Sequence, residues 1–147
     1  MNDIAERRYI VAVDFDGTIV EHKYPSIGKE MPLAFEVLRE MQEAGYRLIL
    51  WTFRDGEYLK DAVEYCLSNG IMFYAVNQSS PNEEFNKYMS RKINADIYID
   101  DRNVGGFPGW EKIREWLLPD SPNINRNNNV KRNNDNKKRG FFRDLFI

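Results

Sequence analysis

The chain has 147 residues, a formal net charge of −2 and one cysteine, Cys66. This length predicts a single domain with a core large enough to fold without disulfides or structural metals. The near-neutral charge excludes a broad basic face for nucleic acid, and no apolar run approaches the roughly 20 residues that span a bilayer. The polar start, Met1–Arg8, contains no apolar core of a secretory signal. We expect a cytoplasmic protein without nucleic-acid partners or a transmembrane segment.

The composition changes near Asp120. The last 28 residues contain eight asparagines, seven basic and three acidic residues, and only seven hydrophobic ones. Such a sequence buries too little apolar surface to offset the entropy lost on ordering. We predict a folded domain over residues 1–119 and a disordered Asn/Lys-rich tail over 120–147. The apolar end of the tail, Phe141–Ile147, is either a free terminus or a segment that docks on a partner, on a second subunit of a homo-oligomer or on an anionic membrane surface.

Inside the domain, apolar runs of strand length alternate with apolar residues at helical spacing. The predicted elements are a strand at Tyr9–Val13, a helix marked by Leu33, Val37, Leu38, Met41 and Ala44, a strand at Arg47–Trp51, a helix marked by Leu59, Ala62, Val63, Cys66 and Leu67, strands at Met72–Val76 and Asp96–Asp100, and a helix marked by Trp110, Ile113 and Leu117. This order indicates an α/β fold, a three-layer Rossmann-like sandwich around a mostly parallel sheet.

Acidic residues follow the first and the fourth predicted strands. Asp14 and Asp16 lie two positions apart after the first strand, and Asp100 and Asp101 end the fourth. Ligands of parallel sheets bind where the carboxyl ends of the strands meet. Carboxylates crowded there are costly unless a cation neutralises them, although each pair alone is also compatible with a polar turn or a helix cap.

Polar and basic residues complete this set. Thr52 follows the second strand, where its hydroxyl and the adjacent amides can hold an anionic oxygen or cap the next helix. Lys92 either balances the charge of a phosphate among the carboxylates or lies on the solvated surface. Arg54 either binds a second anionic group of a substrate or forms a surface ion pair.

The order of these motifs resembles that of the haloacid dehalogenase superfamily of phosphohydrolases. The resemblance covers about Tyr9–Leu117, and the segments Leu50–Arg54 and Ile99–Gly106 are similar to small hydrolases of that superfamily. It implies a Mg²⁺-dependent phosphomonoester hydrolase that acts through an aspartyl phosphate. The expected substrate is a sugar phosphate or another exposed phosphate.

The resemblance also implies a role for each acidic residue. Asp14 corresponds to the nucleophile and a metal ligand. Asp16 corresponds to the general acid and base, and its backbone carbonyl corresponds to another ligand of Mg²⁺. Asp101 falls at the position of a direct metal ligand, and Asp100 is expected to support the metal from beside it.

The phosphate-holding positions are implied in the same way. Thr52 and Lys92 correspond to the pair that holds the phosphate, and Phe53 and Arg54 are expected substrate contacts beside Thr52. These assignments agree with the chemistry, since phosphoryl transfer to a carboxylate depends mainly on positioning and charge neutralisation.

The spacing leaves no room for a cap domain. Only about fourteen residues separate Thr18 from Leu33, and the forty residues from Phe53 to Lys92 are needed for a helix, a strand and a loop. We expect an open cleft that is bordered by a flap over 21–28, with His22, and a loop over 77–90. His22 is either a substrate contact or a plain surface histidine.

Two other functions stay open. A receiver-like signalling module also uses acidic residues, a threonine, a lysine and Mg²⁺, but places its phosphoacceptor after a middle strand, and here the third strand ends without an acidic residue. A non-catalytic module that binds phosphate or metal is the second alternative. An enzyme turns over repeatedly, whereas a receiver is labelled at most once.

Overall fold

The computed structural model describes residues 9–124, and strands alternate with helices along this part of the chain. The elements are β1 (Ile10–Val13), α1 (Ala34–Glu43), β2 (Arg47–Leu50), α2 (Gly56–Ser68), β3 (Ala75–Val76), β4 (Ile97–Ile99) and α3 (Trp110–Leu117). This order confirms the predicted α/β fold. β3 is shorter than the predicted third strand, Met72–Val76: it lies at the edge of the sheet, and only Ala75 and Val76 pair with β2.

The four strands form one parallel sheet in the order β3-β2-β1-β4. β1 occupies the centre, where Val11 pairs with Leu48 on one side and with Ile97 on the other. A central parallel strand is covered on both faces, which explains the continuous apolar run Ile10–Val13 in its sequence. The described residues contain no cap domain, as the spacing predicts.

The sheet separates two apolar clusters. On one face, Val11, Val13, Leu48 and Leu50 pack with buried residues of all three helices. The cluster on the opposite face is smaller. There the segment between β3 and β4 covers the sheet through Ile93. The three layers of the sandwich are therefore helices, sheet and an irregular segment over 77–96.

Backbone hydrogen bonds bring the ends of β1, β2 and β4 together. The amide of Asp14 donates to the carbonyl of Ile99 over 2.9 Å, and the amide of Trp51 donates to that of Val13 over 2.9 Å. The residues that follow these three strands consequently lie at one edge of the sheet, as predicted for a ligand site.

Contacts with α1 continue beyond the predicted domain boundary at Pro119. The Ser121 hydroxyl donates to Oε2 of Glu40 over 2.6 Å, and the side-chain amide of Asn123 donates to Oε1 of Glu40 over 2.9 Å. Burial tends to raise the pKa of Glu40, but hydrogen bonds from Ser121, Asn123 and Arg114 hold that pKa below its usual value. The rest of the predicted tail, with its apolar end Phe141–Ile147, lies outside the described residues. Among residues 9–124, no helix has the length and apolar character to cross a membrane.

Candidate functional site

A cleft of about 540 Å³ opens at the carboxyl end of the sheet. It is lined by Asp14, Asp16, His22, Tyr24, Trp51, Thr52, Phe53, Arg54, Asp100, Asp101 and Arg102. The sheet thus gathers side chains that lie up to 88 positions apart, and Lys92 is the predicted site residue that does not line the cleft.

Three carboxylates form a cluster on one side of the cleft. Asp14, Asp100 and Asp101 each place one oxygen so that the three oxygens lie within 4.8 Å of one another. Asp101 reaches this position because Gly17 has no side chain: a Cβ atom on Gly17 would lie 2.2 Å from Oδ2 of Asp101. The φ angle of Gly17, +86°, also favours glycine at this position. Three of the four predicted acidic residues therefore lie together, and the side chain of Asp16 does not belong to this cluster.

The environment of Asp14 disfavours its charge. Burial and the charge of Asp100 raise the pKa of Asp14 to about 7, although a hydrogen bond from Thr18 opposes the shift. The Thr18 hydroxyl lies 3.0 Å from Oδ2 of Asp14, and the Thr18 carbonyl accepts a 2.7 Å bond from the Trp110 indole. Thr18 was not among the predicted site residues, although its position four residues after Asp14 could have indicated this contact.

This donor set fits a hard divalent cation. Carboxylate oxygens are the ligands that Mg²⁺ prefers, and an open cleft leaves room for the water ligands that it retains. A cation would also relieve the repulsion that raises the pKa of Asp14. Asp100 and Asp101 both belong to the cluster, so which of them is the direct ligand stays a prediction, as does the ligand role of the Asp16 carbonyl.

Asp16 makes a different contact. Its two carboxylate oxygens accept hydrogen bonds of 2.7 and 2.8 Å from Nε and Nη2 of Arg54. Arg54 is 1% exposed, and its remaining donors bond backbone carbonyls. All five N–H donors of Arg54 are used within the protein. Arg54 also lines the cleft, and its contact with a substrate stays a prediction. The alternative, a surface ion pair, is corrected in its location: Arg54 forms an ion pair with Asp16, and that pair is buried.

Thr52 is held by the loop that follows β3. Its amide donates to Oδ1 of Asn77 over 2.8 Å, and its hydroxyl oxygen accepts the amide of Arg54 over 3.2 Å. Because the Thr52 oxygen is the acceptor in that bond, its O–H group can still donate a hydrogen bond to a ligand in the cleft. Beside it, the Phe53 side chain is 98% exposed at the rim.

Lys92 lies outside the cleft. Its Nζ atom is 5.3 Å from the centroid of the Tyr98 ring, over the face of the sheet that carries the smaller cluster. Its predicted contact with phosphate therefore stays a prediction. Three residues that line the cleft were not among the predicted site residues: Tyr24, Trp51 and Arg102. The signals for Trp51 and Arg102 were their positions, directly before Thr52 and directly after the second acidic pair.

The flap borders the cleft through His22 and Tyr24. At the base of the flap, Val20 and Glu30 form an isolated antiparallel β-bridge through their backbones. At Gly28 a Cβ atom would lie 2.0 Å from the carbonyl oxygen of Glu21, so this position requires glycine.

Comparison with solved structures finds a conserved protein from Bacteroides thetaiotaomicron. The two chains are 50% identical, and their structures superpose with a TM-score of 0.71. The match covers 78% of this chain and 93% of the Bacteroides protein. No family model matches the chain, and no curated protein matches it.

Proposed function

We propose that this chain, which belongs to the same family as the conserved Bacteroides thetaiotaomicron protein, is a Mg²⁺-dependent phosphomonoester hydrolase. The observation that carries the proposal is the cluster of Asp14, Asp100 and Asp101 in an open cleft beside Thr52. The order of these residues along the chain supports membership of the haloacid dehalogenase superfamily. A cytoplasmic location and a homo-oligomeric state stay predictions, which fractionation and light scattering test.

Asp14 is the proposed nucleophile. One oxygen of its carboxylate attacks the phosphorus, the bond to the leaving oxygen breaks, and an aspartyl phosphate forms. The hydrogen bond from Thr18 to Oδ2 fixes the carboxyl group and presents Oδ1 for the attack. Bound Mg²⁺, held by the carboxylate cluster, would neutralise the charge of the phosphate and of the nucleophile.

Asp16 is the proposed proton carrier. Its carboxylate, ion-paired with Arg54 in the structure, takes up a proton from solvent before the first step and donates that proton to the leaving oxygen. In the second step it accepts a proton from the water that attacks the aspartyl phosphate, and this proton serves the next cycle or returns to solvent. The second step releases inorganic phosphate and restores both carboxyl groups. The hydroxyl of Thr52 donates to a phosphate oxygen throughout, since its own oxygen is fixed by the amide of Arg54.

The absence of a cap from the described residues favours substrates whose phosphate projects from a larger molecule. A sugar phosphate, or a phosphate on another exposed group, could reach Asp14 without closure of a second domain. A screen of sugar phosphates, nucleotides and phosphoproteins identifies the substrate class.

The function is tested by hydrolysis of p-nitrophenyl phosphate, with Mg²⁺ and with a chelator. We expect repeated turnover that requires Mg²⁺ and is lost in Asp14→Asn, which keeps the shape of the site. Glu64→Gln, an exposed carboxylate on α2, is the matched control and should keep full activity. The proposal fails if neither p-nitrophenyl phosphate nor the screened phosphates are hydrolysed, or if Asp14→Asn keeps near wild-type rates. Phosphorylation without turnover would instead indicate the receiver-like alternative.

A further inference from the structure

One guanidinium joins the flap to the proposed proton carrier. Arg54 donates to both carboxylate oxygens of Asp16, and its Nη1 and Nη2 atoms donate to the carbonyls of Pro25 at 2.9 Å and Ser26 at 2.8 Å. The fifth bond goes to the carbonyl of Tyr58 in the first turn of α2, over 3.4 Å. Because Nη2 bonds both Asp16 and Ser26, the carboxyl group and the flap share one donor group.

Aromatic rings restrict the guanidinium further. Its carbon lies 5.0 Å from the centroid of the Phe15 ring and 5.2 Å from that of Tyr24, which belongs to the flap. With these rings and five hydrogen bonds, the plane of Arg54 has little freedom to turn. The direction of the Asp16 carboxyl group is consequently set by a bidentate pair of fixed orientation.

The stability of the fold alone does not explain the buried ion pair of Arg54 and Asp16. A buried ion pair gains little stability over a well-packed apolar pair, because both charges lose their hydration. Arg114 is a second buried arginine: it joins Glu36 and Glu40 on α1, none of these three residues lines the cleft, and its Nε atom has no hydrogen-bond partner. Arg54, in contrast, is fully bonded, and the residue with which it pairs, Asp16, lines the cleft.

We propose that Arg54 is a positioning residue, which fixes the Asp16 carboxyl group toward the leaving oxygen and couples that group to the flap at Pro25 and Ser26. The proposal rests on the proposed function, in which Asp16 moves the proton. It predicts that loss of Arg54 damages proton transfer more than phosphate binding. It also predicts that a change at Asp16 loosens the flap.

The kinetic test compares two substrates. p-Nitrophenyl phosphate has a leaving group that needs no proton, whereas an alkyl phosphate needs one. Arg54→Ala should lower kcat for the alkyl phosphate at least about 10-fold more than for p-nitrophenyl phosphate, with a smaller change in KM. Arg54→Lys should stay impaired, because one ammonium cannot make the bidentate pair. Added guanidinium ion should restore part of the alkyl phosphatase activity of Arg54→Ala.

Arg114→Ala is the matched control, since it also removes a buried, ion-paired arginine. It should lower the melting temperature without changing the ratio of the two rates. In Asp16→Asn, adding Arg54→Lys should cost little further activity, because the two residues act as a unit. Equal losses on both substrates without guanidinium rescue, or fully additive losses in the double variant, would overturn the proposal.

Hydrogen exchange separates this proposal from the proposed function. The amide of Glu21, bonded to the Lys29 carbonyl over 2.7 Å, reports on the flap. Asp16→Asn should make this amide exchange faster, and Glu64→Gln should not. If the wild type hydrolyses no phosphate, the proposed function fails, and the exchange result still decides the coupling. Unchanged exchange in Asp16→Asn would refute the coupling even in an active enzyme.

Discussion

The charge of Asp14 should destabilise the metal-free protein at neutral and alkaline pH. Burial and the nearby Asp100 raise the pKa of this carboxyl group from 3.8 to about 7. In the unfolded chain the group ionises near 3.8, so between these values the folded state binds more protons than the unfolded state. The free energy of unfolding contributed by Asp14 therefore falls as the pH rises from about 4 to about 7, and is constant above that.

The size of the effect follows from the shift. About three pKa units correspond to an upper limit of roughly 4 kcal/mol, and solvent and counterions at an open cleft reduce this to roughly 1–2 kcal/mol. Asp14→Asn removes the charge and keeps an oxygen that accepts the Thr18 hydroxyl. At pH 8, without metal, this variant should melt roughly 3–8 °C above the wild type.

Thermal melting in a chelator at pH 5, 6, 7 and 8 measures this difference. The gain of Asp14→Asn over wild type should grow across the series, and Glu64→Gln, which changes an exposed carboxylate, should show no such trend. Mg²⁺ at pH 8 should then raise the melting temperature of the wild type more than that of Asp14→Asn. A variant no more stable than wild type at pH 8, or a gain independent of pH, would refute the electrostatic reasoning.

Three further predictions concern the rest of the site and the domain boundary. Asp16→Asn should lower kcat by roughly 10²–10⁴-fold for an alkyl phosphate and less for p-nitrophenyl phosphate, and equal losses would exclude the acid role. Asp101→Ala should raise the Mg²⁺ concentration needed for half-maximal rate more than Asp100→Ala does, and the reverse order would exchange the two assignments. Truncation after Ile124 should leave the melting temperature and the kinetics unchanged. Truncation after Pro119 should lower the free energy of unfolding by roughly 1–2 kcal/mol, because the hydrogen bonds of Ser121 and Asn123 to α1 are lost. Equal melting temperatures of the two truncated proteins would show that these bonds contribute nothing.

The sheet and the acidic cluster were predictable because their signals are local. The apolar run at Ile10–Val13 indicates burial on both faces. Asp14 and the pair Asp100–Asp101 follow the ends of two strands, which places them at one edge of a parallel sheet. Neither inference needs the packing of distant side chains.

The partner of Arg54 was not predictable in the same way. Its bonds reach Asp16, 38 positions earlier, and flap carbonyls that give no sequence signal. The position of Lys92 depends likewise on the irregular segment over 77–96, whose path no periodic pattern specifies. The bonds of Ser121 and Asn123 to α1 lie in a segment whose composition alone indicates disorder.

The formation of an aspartyl phosphate at Asp14 is the central step of the proposed mechanism. Mass spectrometry of acid-quenched protein tests this step most directly. Wild type and Asp16→Asn are mixed with Mg²⁺ and p-nitrophenyl phosphate, quenched and digested. We predict the mass of one added phosphoryl group on the peptide that contains Asp14, more abundant in Asp16→Asn because breakdown is slowed, and absent from Asp14→Asn. Repeated hydrolysis without this label, or a label that persists in Asp14→Asn, would contradict the mechanism.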